Sequence, residues 1–276
     1  MTTKPKRLRR YFLPLILILI LIFDILFEKS NIEYKSYTIE HHNIPNAFDG
    51  FKIIQLTDIH YKAASNTDNL EQMVQDINEQ NPDIIILTGD YIDFGEQYIE
   101  PCTELFSKLR ATYGIYGVLG NHDGRGYHNL IVTAFTEIGI QIIEEDYTRI
   151  NIENQTIYLC GVSDLGSNNP DLDKALVGAK KEDYVILLSH NPNFIKQIDS
   201  RHVDLMFSGH NHGGQITLFG LYAPYLPDSD TDQSLVTGQS IVDDTTIIVS
   251  NGIGTTVLNL RFFARPQVVI TTLWAD

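Results

Sequence analysis

Six short apolar runs, each halted by a polar residue, constrain what this chain can fold into: "FKIIQLTD", "DIIILTGD", "IYGVLGNHD", "YVILLSH", "VDLMFSGH" and "TIIVSNG". Runs of Ile, Val and Leu without alternation belong to strands buried on both faces, because a strand with one face in water shows a period of two. Helical stretches lie between several of them, at 69–80 ("NLEQMVQDINEQ") and 100–110 ("EPCTELFSKLR"). That order predicts a parallel sheet with helices outside it. With 276 residues, 43% of them hydrophobic, one sizeable core is expected. In open sheets of this kind ligands gather beyond the carboxyl ends of the strands, so the polar stops mark the place to look.

The stops are Asp58 and His60, Asp90, Asn121 and His122, His190, and His210 with His212. One histidine at a strand end is most often a satisfied structural residue. The set is different: five of the nine histidines, two carboxylates and a carboxamide converge on one edge, which repulsion and desolvation would penalise unless cations sat among them. Gly213 and Gly214 then let the chain leave a crowded site. Cys102 and Cys160 are too few for a disulfide framework or a cysteine-built zinc site and are read as core thiols. The net charge is -15 although Lys4, Lys6, Arg7, Arg9 and Arg10 cluster at the start, so the body repels nucleic acid and none is expected as a partner.

The blocks "TDIHYK", "LTGDYID", "GNHD", "LSHNP" and "SGHNHGG" resemble, in order over residues 51 to 216, those of the calcineurin-like metallophosphoesterase superfamily. "VSNGIGTT" near the end resembles its short, membrane-anchored or exported bacterial members. The resemblance implies a layered α/β/β/α sandwich with a metal site at the carboxyl ends of the central strands. It also implies two divalent ions, one held by Asp58, His60, Asp90 and His212, the other by Asp90, Asn121, His190 and His210. A carboxylate such as Asp90 suits the bridging place because it has two oxygens and a charge that screens both cations. Nitrogen and oxygen donors without thiolate fit manganese, iron or zinc. Two dications against two aspartates leave a surplus of positive charge, matched to a phosphate ester. A metal pair supplies a water nucleophile near neutral pH and stabilises the transition-state oxygens.

His122 is then the candidate general acid, and Asp93 resembles the aspartate that orients it and keeps it protonated. Phe94 stands where protein phosphatases of the superfamily carry a phosphate-gripping arginine, which argues against phosphoprotein substrates. Arg125 is either a phosphate contact or a surface arginine, and Asn251 either faces the metals or turns the chain. Arg261 resembles a basic residue of the bacterial members and is a candidate substrate contact, although "FFARPQ" departs from their usual ending. His41, His42, His128 and His202 are given bland readings.

Residues 1–30 read as a basic end followed by an apolar segment over 11–27, interrupted only by Asp24. They are expected to form an uncleaved signal anchor with the body outside the cytoplasm, and "RRYFLP" also resembles a twin-arginine export signal. Residues 31–50 are expected to be a stalk, and 51–276 the phosphoesterase domain. The acidic run 227–233 is read as a solvated loop, and "YAPYLP" before it as a lid or membrane-facing lip. The expected function is two-metal hydrolysis of a lipid-linked or cell-envelope phosphodiester or pyrophosphate. A second class is a non-catalytic metal-binding scaffold that recruits a partner at the membrane.

Overall fold

The computed structural model describes residues 11, 12, 14–16, 27–62, 65–166, 170–199 and 201–276. Two six-stranded sheets pack face to face. The first has the order β1 (Glu33–His41), β12 (Gln267–Ala275), β2 (Phe51–Leu56), β3 (Ile84–Thr88), β4 (Ile115–Val118), β5 (Ile140–Ile142). The second runs β10 (Gly238–Val242), β11 (Thr245–Val249), β9 (Leu205–Ser208), β8 (Tyr184–Leu188), β7 (Gln155–Gly161), β6 (Asp146–Ile152). β2 to β5 are mutually parallel, as are β7, β8, β9 and β11, so each sheet has a parallel centre with an antiparallel neighbour.

The unbroken apolar runs follow from this layering. In β2 and β3, Ile53, Ile84 and Ile86 face Leu159, Ile186, Leu188 and Phe207 of the opposite sheet. Their neighbours Ile54, Leu56, Ile85 and Leu87 face outward onto α1 (Thr67–Glu79), α2 (Ile99–Phe106) and α3 (His128–Glu137). In β8 the odd member Tyr184 looks inward, while Val185 and Leu187 meet Phe194 and Ile195 on the far side. Every position is therefore covered, and alternation has no reason to appear. α1 begins where the Asn66 carboxamide accepts from Asn69 N at 3.3 Å, and it buries Leu70, Met73, Val74 and Ile77 at helical spacing.

One expectation is overturned. Residues 31–50 are no stalk: Glu33–His41 pairs in parallel with β12 along its whole length, and Ile44 and Phe48 enter the core between the sheets. Glu33–His41 lies at the sheet's edge, and only one of its nine residues is fully buried, so its sequence reads as polar. Even Glu28 belongs to the body, its buried carboxylate accepting from the backbone of Phe263 and Ala264. The apolar segment expected to be an anchor lies largely outside the described residues; among those described, no helix is long and apolar enough to cross a membrane.

Candidate metal centre

All the candidate ligands sit just past strand ends, and both sheets contribute. Asp58 and His60 follow β2, Asp90 follows β3, Asn121 and His122 follow β4, His190 follows β8, and His210 and His212 follow β9. Parallel strands pointing the same way bring these turns together, although 152 positions separate His210 from Asp58, which it touches.

Asp90 lies at the middle. Its Oδ2 is 3.3 Å from His60 Nε2 on one side and 3.4 Å from His190 Nε2 on the other. Beyond His60, Asp58 Oδ1 is 3.8 Å from His60 Nε2 and 3.4 Å from His212 Nε2. Beyond His190, its Nε2 is 3.2 Å from both Asn121 Oδ1 and His210 Nδ1. The donors thus fall into two groups that share Asp90. Apart from the wider Asp58–His60 pair, these spacings are near the edges of coordination polyhedra with bonds of about 2.1 Å, roughly 3.0 Å in an octahedron and 3.4 Å in a tetrahedron.

The polar atoms also lack the partners a protein interior demands. His60 is fully buried, yet neither of its ring nitrogens has a hydrogen-bond partner, and His212 Nδ1 has none. His190 Nδ1 lies 2.7 Å from the Thr88 carbonyl, an N–H donor's position that leaves Nε2 with a lone pair for the centre. His210 is the mirror case: Nδ1 faces the centre, while Nε2 is 3.2 Å from Asp228.

Charge points the same way. Burial opposes ionisation of Asp58 and Asp90, but His212 and His60 around the first, and His190 and His60 around the second, hold both carboxyls well below the usual range. Burial opposes protonation of His190, yet Asp90 pushes it to about 10, and His60 is raised through Asp58, Asp90 and Asp93. Two fully buried carboxylates want positive charge beside them, which protons on imidazoles would supply if cations did not. Burial lowers His212 to about 3, so its ring stays neutral and able to coordinate. Donor types, spacing, orphaned nitrogens and charge all fit divalent cations.

The backbone is strained at these ligands. Asp58, His60, Asp90, His210 and His212 all adopt the left-handed region, with φ between 45° and 70°. Glycines make room beside them: a Cβ on Gly252, itself at φ +65°, would lie 2.5 Å from Asp58 Cβ. This explains "VSNGIG", whose Ile253 N and Gly254 N donate to Thr57 O and Asp58 O.

His122 is 12% exposed at the edge of the cluster, its ring perpendicular to His60 at 4.7 Å between centroids. The contact between Asp93 and His122 differs from the expected one. His122 Nδ1 meets the Asp93 backbone carbonyl at 3.1 Å, while the carboxylate, 3.6 Å away, is bound by Lys62 at 3.1 Å. Burial lowers the His122 pKa, with Asp90 opposing, so Asp93 does not by itself keep it protonated. Phe94 packs on His122 at 5.0 Å and also has the Arg125 guanidinium over its ring at 5.4 Å, which brings Arg125 to the rim of the site.

Two candidate substrate residues are placed elsewhere. Arg261 is fully buried and donates to the carbonyls of His212, Ala264, Asn251, Gly252 and Gly254, so it cannot meet a substrate and instead ties two loops together. Asn251 spends both ends of its carboxamide, accepting from Thr237 Oγ1 and donating to Arg265 O, and so turns the chain.

Three residues escaped sequence reasoning. Asp123 is buried and accepts from the backbone N–H groups of Asp90, Tyr91 and Gly120, clamping the turn that carries Asp90; burial and Asp90 raise it to about 7. Lys62 neutralises Asp93 and also binds the Thr255 carbonyl. Asp228 corrects the solvated-loop reading of 227–233, because its carboxylate accepts from Asn191 Nδ2 at 2.7 Å beside His210. The paired asparagines of "HNPN" were the available signal for it, since both reach toward that acid.

Comparison with known proteins agrees with this geometry. Residues 51–214 match the family described as calcineurin-like phosphoesterase. The chain is 33% identical over 250 residues to the metallophosphoesterase YkuE of Bacillus subtilis, covering 89% of this chain and 87% of the relative. It is 28% identical over 245 residues to a metallophosphoesterase of Aquifex aeolicus, covering 87% and 90%. Over 189 residues it is 29% identical to the "Transmembrane protein with metallophosphoesterase domain" of Danio rerio, covering 63% of this chain and 43% of that protein. With a metal-suited cluster at the strand ends of an α/β/β/α sandwich and these matches, the chain belongs to the calcineurin-like phosphoesterase family and is a metal-dependent phosphoric ester hydrolase.

Proposed function

We propose that this chain hydrolyses a phosphodiester or pyrophosphate carried by a lipid-linked or cell-envelope molecule, using two divalent ions. The observation that carries the two-ion reading is the shared position of Asp90 between His60 and His190, with further donors beyond each. Asp58, His60, Asp90 and His212 would hold one ion, and Asp90, Asn121, His190 and His210 the other. When bound, manganese, iron or zinc would supply Lewis acidity and a water of lowered pKa.

The remaining work falls to side chains. Asp123 fixes the Asp90 turn and Asp228 fixes the His210 ring, so both donors are held in register. With its Nδ1 proton on the Asp93 carbonyl, His122 presents Nε2 as the free position, which takes up a proton from solvent to form the imidazolium and then delivers that proton to the departing oxygen. Arg125, stacked on exposed Phe94, offers a cation to the phosphate or to its leaving group.

A membrane-held, outward-facing body is supported by the apolar sequence over 11–27 and its basic flank, and by the name of the Danio rerio relative. Twin-arginine export is the alternative route for the same topology. The test for the ion pair is Asp90→Asn: metal content measured by plasma mass spectrometry should fall at both positions, together with turnover of bis-p-nitrophenyl phosphate. Loss of one ion with the other retained would remove Asp90 from the bridging place.

A further inference from the structure

Among the described residues, two loops near the metal centre carry apolar side chains that no other residue covers. Leu218, Phe219, Leu221 and Tyr222 on one loop, and Val257 and Leu258 on the other, are each at least half exposed, with Leu221 at 86% and Val257 at 93%. Single exposed apolar residues are ordinary, but so many on adjoining loops mark an interaction surface.

The loops are not slack. The Gln215 carboxamide donates to the carbonyls of Thr256 and Leu258 and accepts from Thr256 N, and Thr217 Oγ1 donates to Phe263 O at 3.0 Å. Phe219 packs on Phe263 with ring centroids 5.4 Å apart. Val257 and Phe219 both sit at positive φ, 55° and 57°. For a β-branched side chain that conformation is costly, and here it holds the side chain out in solvent instead of burying it.

What the surface meets is indicated by where it lies. Glu28 binds the backbone of Phe263 and Ala264 through both carboxylate oxygens, and Phe27, Gly220 and Phe263 line one groove of about 360 Å³. The exposed rim is thus continuous with the last residues of the apolar sequence 11–27. From these observations we infer that the loops 216–225 and 256–263 form a lipid-docking surface, seated in the interface of a bilayer with the metal centre beside it. The inference rests on the reading of residues 11–27 as a membrane segment. Amphipathic aromatic rings such as Tyr222 and Tyr225 suit the headgroup level, and Leu221 and Val257 suit the acyl boundary.

The chain carries a single tryptophan, Trp274, which makes the test direct. β12 runs antiparallel to β2, so Trp274 lies beside Phe51 at the end of the sheet away from the metal centre. The full-length protein is reconstituted with phosphatidylcholine–phosphatidylglycerol vesicles, with or without bromine on the acyl chains. Flotation reports the membrane segment, and fluorescence reports the rim. In a Trp274→Phe background, Leu221→Trp should shift to the blue on adding vesicles and lose intensity to brominated lipid, whereas native Trp274 should do neither. Val257→Trp is the second reporter should the first fail to fold.

Flotation without quenching at either reporter overturns the docking surface and leaves the membrane segment standing. Failure to float overturns both. A blue-shifted reporter in the absence of lipid gives the face to the protein's own N-terminal segment, or, where the shift depends on protein concentration, to a second copy, and either result also overturns the inference.

Discussion

Replacing Arg261 with lysine separates two accounts of a residue that the sequence offered as a substrate contact. Its guanidinium meets five backbone carbonyls, of His212, Ala264, Asn251, Gly252 and Gly254, at 2.6–3.2 Å. Burial lowers its pKa only to about 10, so it remains charged. An ammonium has three donors on one nitrogen and cannot reach carbonyls spread around a planar fork, so at least two of the five hydrogen bonds are lost. At about 1 kcal/mol for each hydrogen bond lost, this gives about 2 kcal/mol. For a domain of this size that corresponds to a fall of roughly 4–8 °C in Tm. Arg261→Ala would take a hydrogen bond from all five carbonyls, although His212 O still accepts from Gln215 N and Gly252 O from Gln267 N; at about 1 kcal/mol or more each this takes a large share of a stability of roughly 5–15 kcal/mol. Lysine is therefore the informative change. Calorimetry on the metal-replete protein gives the Tm, and kinetics on a nitrophenyl diester gives KM. A raised KM with an unchanged Tm would refute the structural role and return Arg261 to the substrate.

His122→Asn should leave metal content intact and slow esters with poor leaving groups more than activated nitrophenyl esters, measured as paired kcat/KM values; equal loss for both would remove the general-acid role. Asp228→Asn should weaken metal binding by roughly 10–100-fold in competition with a chelator, because the His210 ring loses its anionic partner, while circular dichroism stays unchanged. Unaltered affinity would return the loop 227–233 to a solvent role. Gly252→Ala should displace Asp58, because the added methyl lies 2.5 Å from its Cβ at a φ of +65°; metal titration should show weakened binding, and native stoichiometry and affinity would contradict the close packing.

The strands and the converging ligands were legible for one physical reason. Burial on both faces forces unbroken apolar runs, and a parallel sheet forces their polar ends to a common edge. Glu33–His41 was not legible because an edge strand lacks that burial, and its pairing with β12 spans the whole length of the chain. Asp228 was hidden by similar distance: acids at alternate positions look like any exposed loop until Asn191 and His210 are seen to reach for one of them. Arg261 misled because sequence shows a charge but not its surroundings. Only the fold reveals that all its hydrogen-bond partners are backbone carbonyls, one of them that of the candidate ligand His212.

Five ligands held at positive φ represent a cost of roughly 1–2 kcal/mol each, a sum comparable with the stability of an ordinary domain. The surrounding hydrogen bonds show how the fold sustains it. Asp58 N donates to Gly89 O, His60 N to Asp90 O, Asp90 N to Asp123 Oδ2 and His210 N to Asp58 Oδ2, all within 3.0 Å. His212 is braced through its carbonyl by Arg261. Each strained turn is thus held by a neighbouring segment, and the brace from His210 N to Asp58 joins ligand to ligand across the two sheets. Removing one ligand side chain therefore loosens the backbone of another, so the losses on mutating Asp58 and His210 together should fall short of the sum of the single losses. These braces use protein atoms alone, so the strained turns are held by hydrogen bonds of the fold itself.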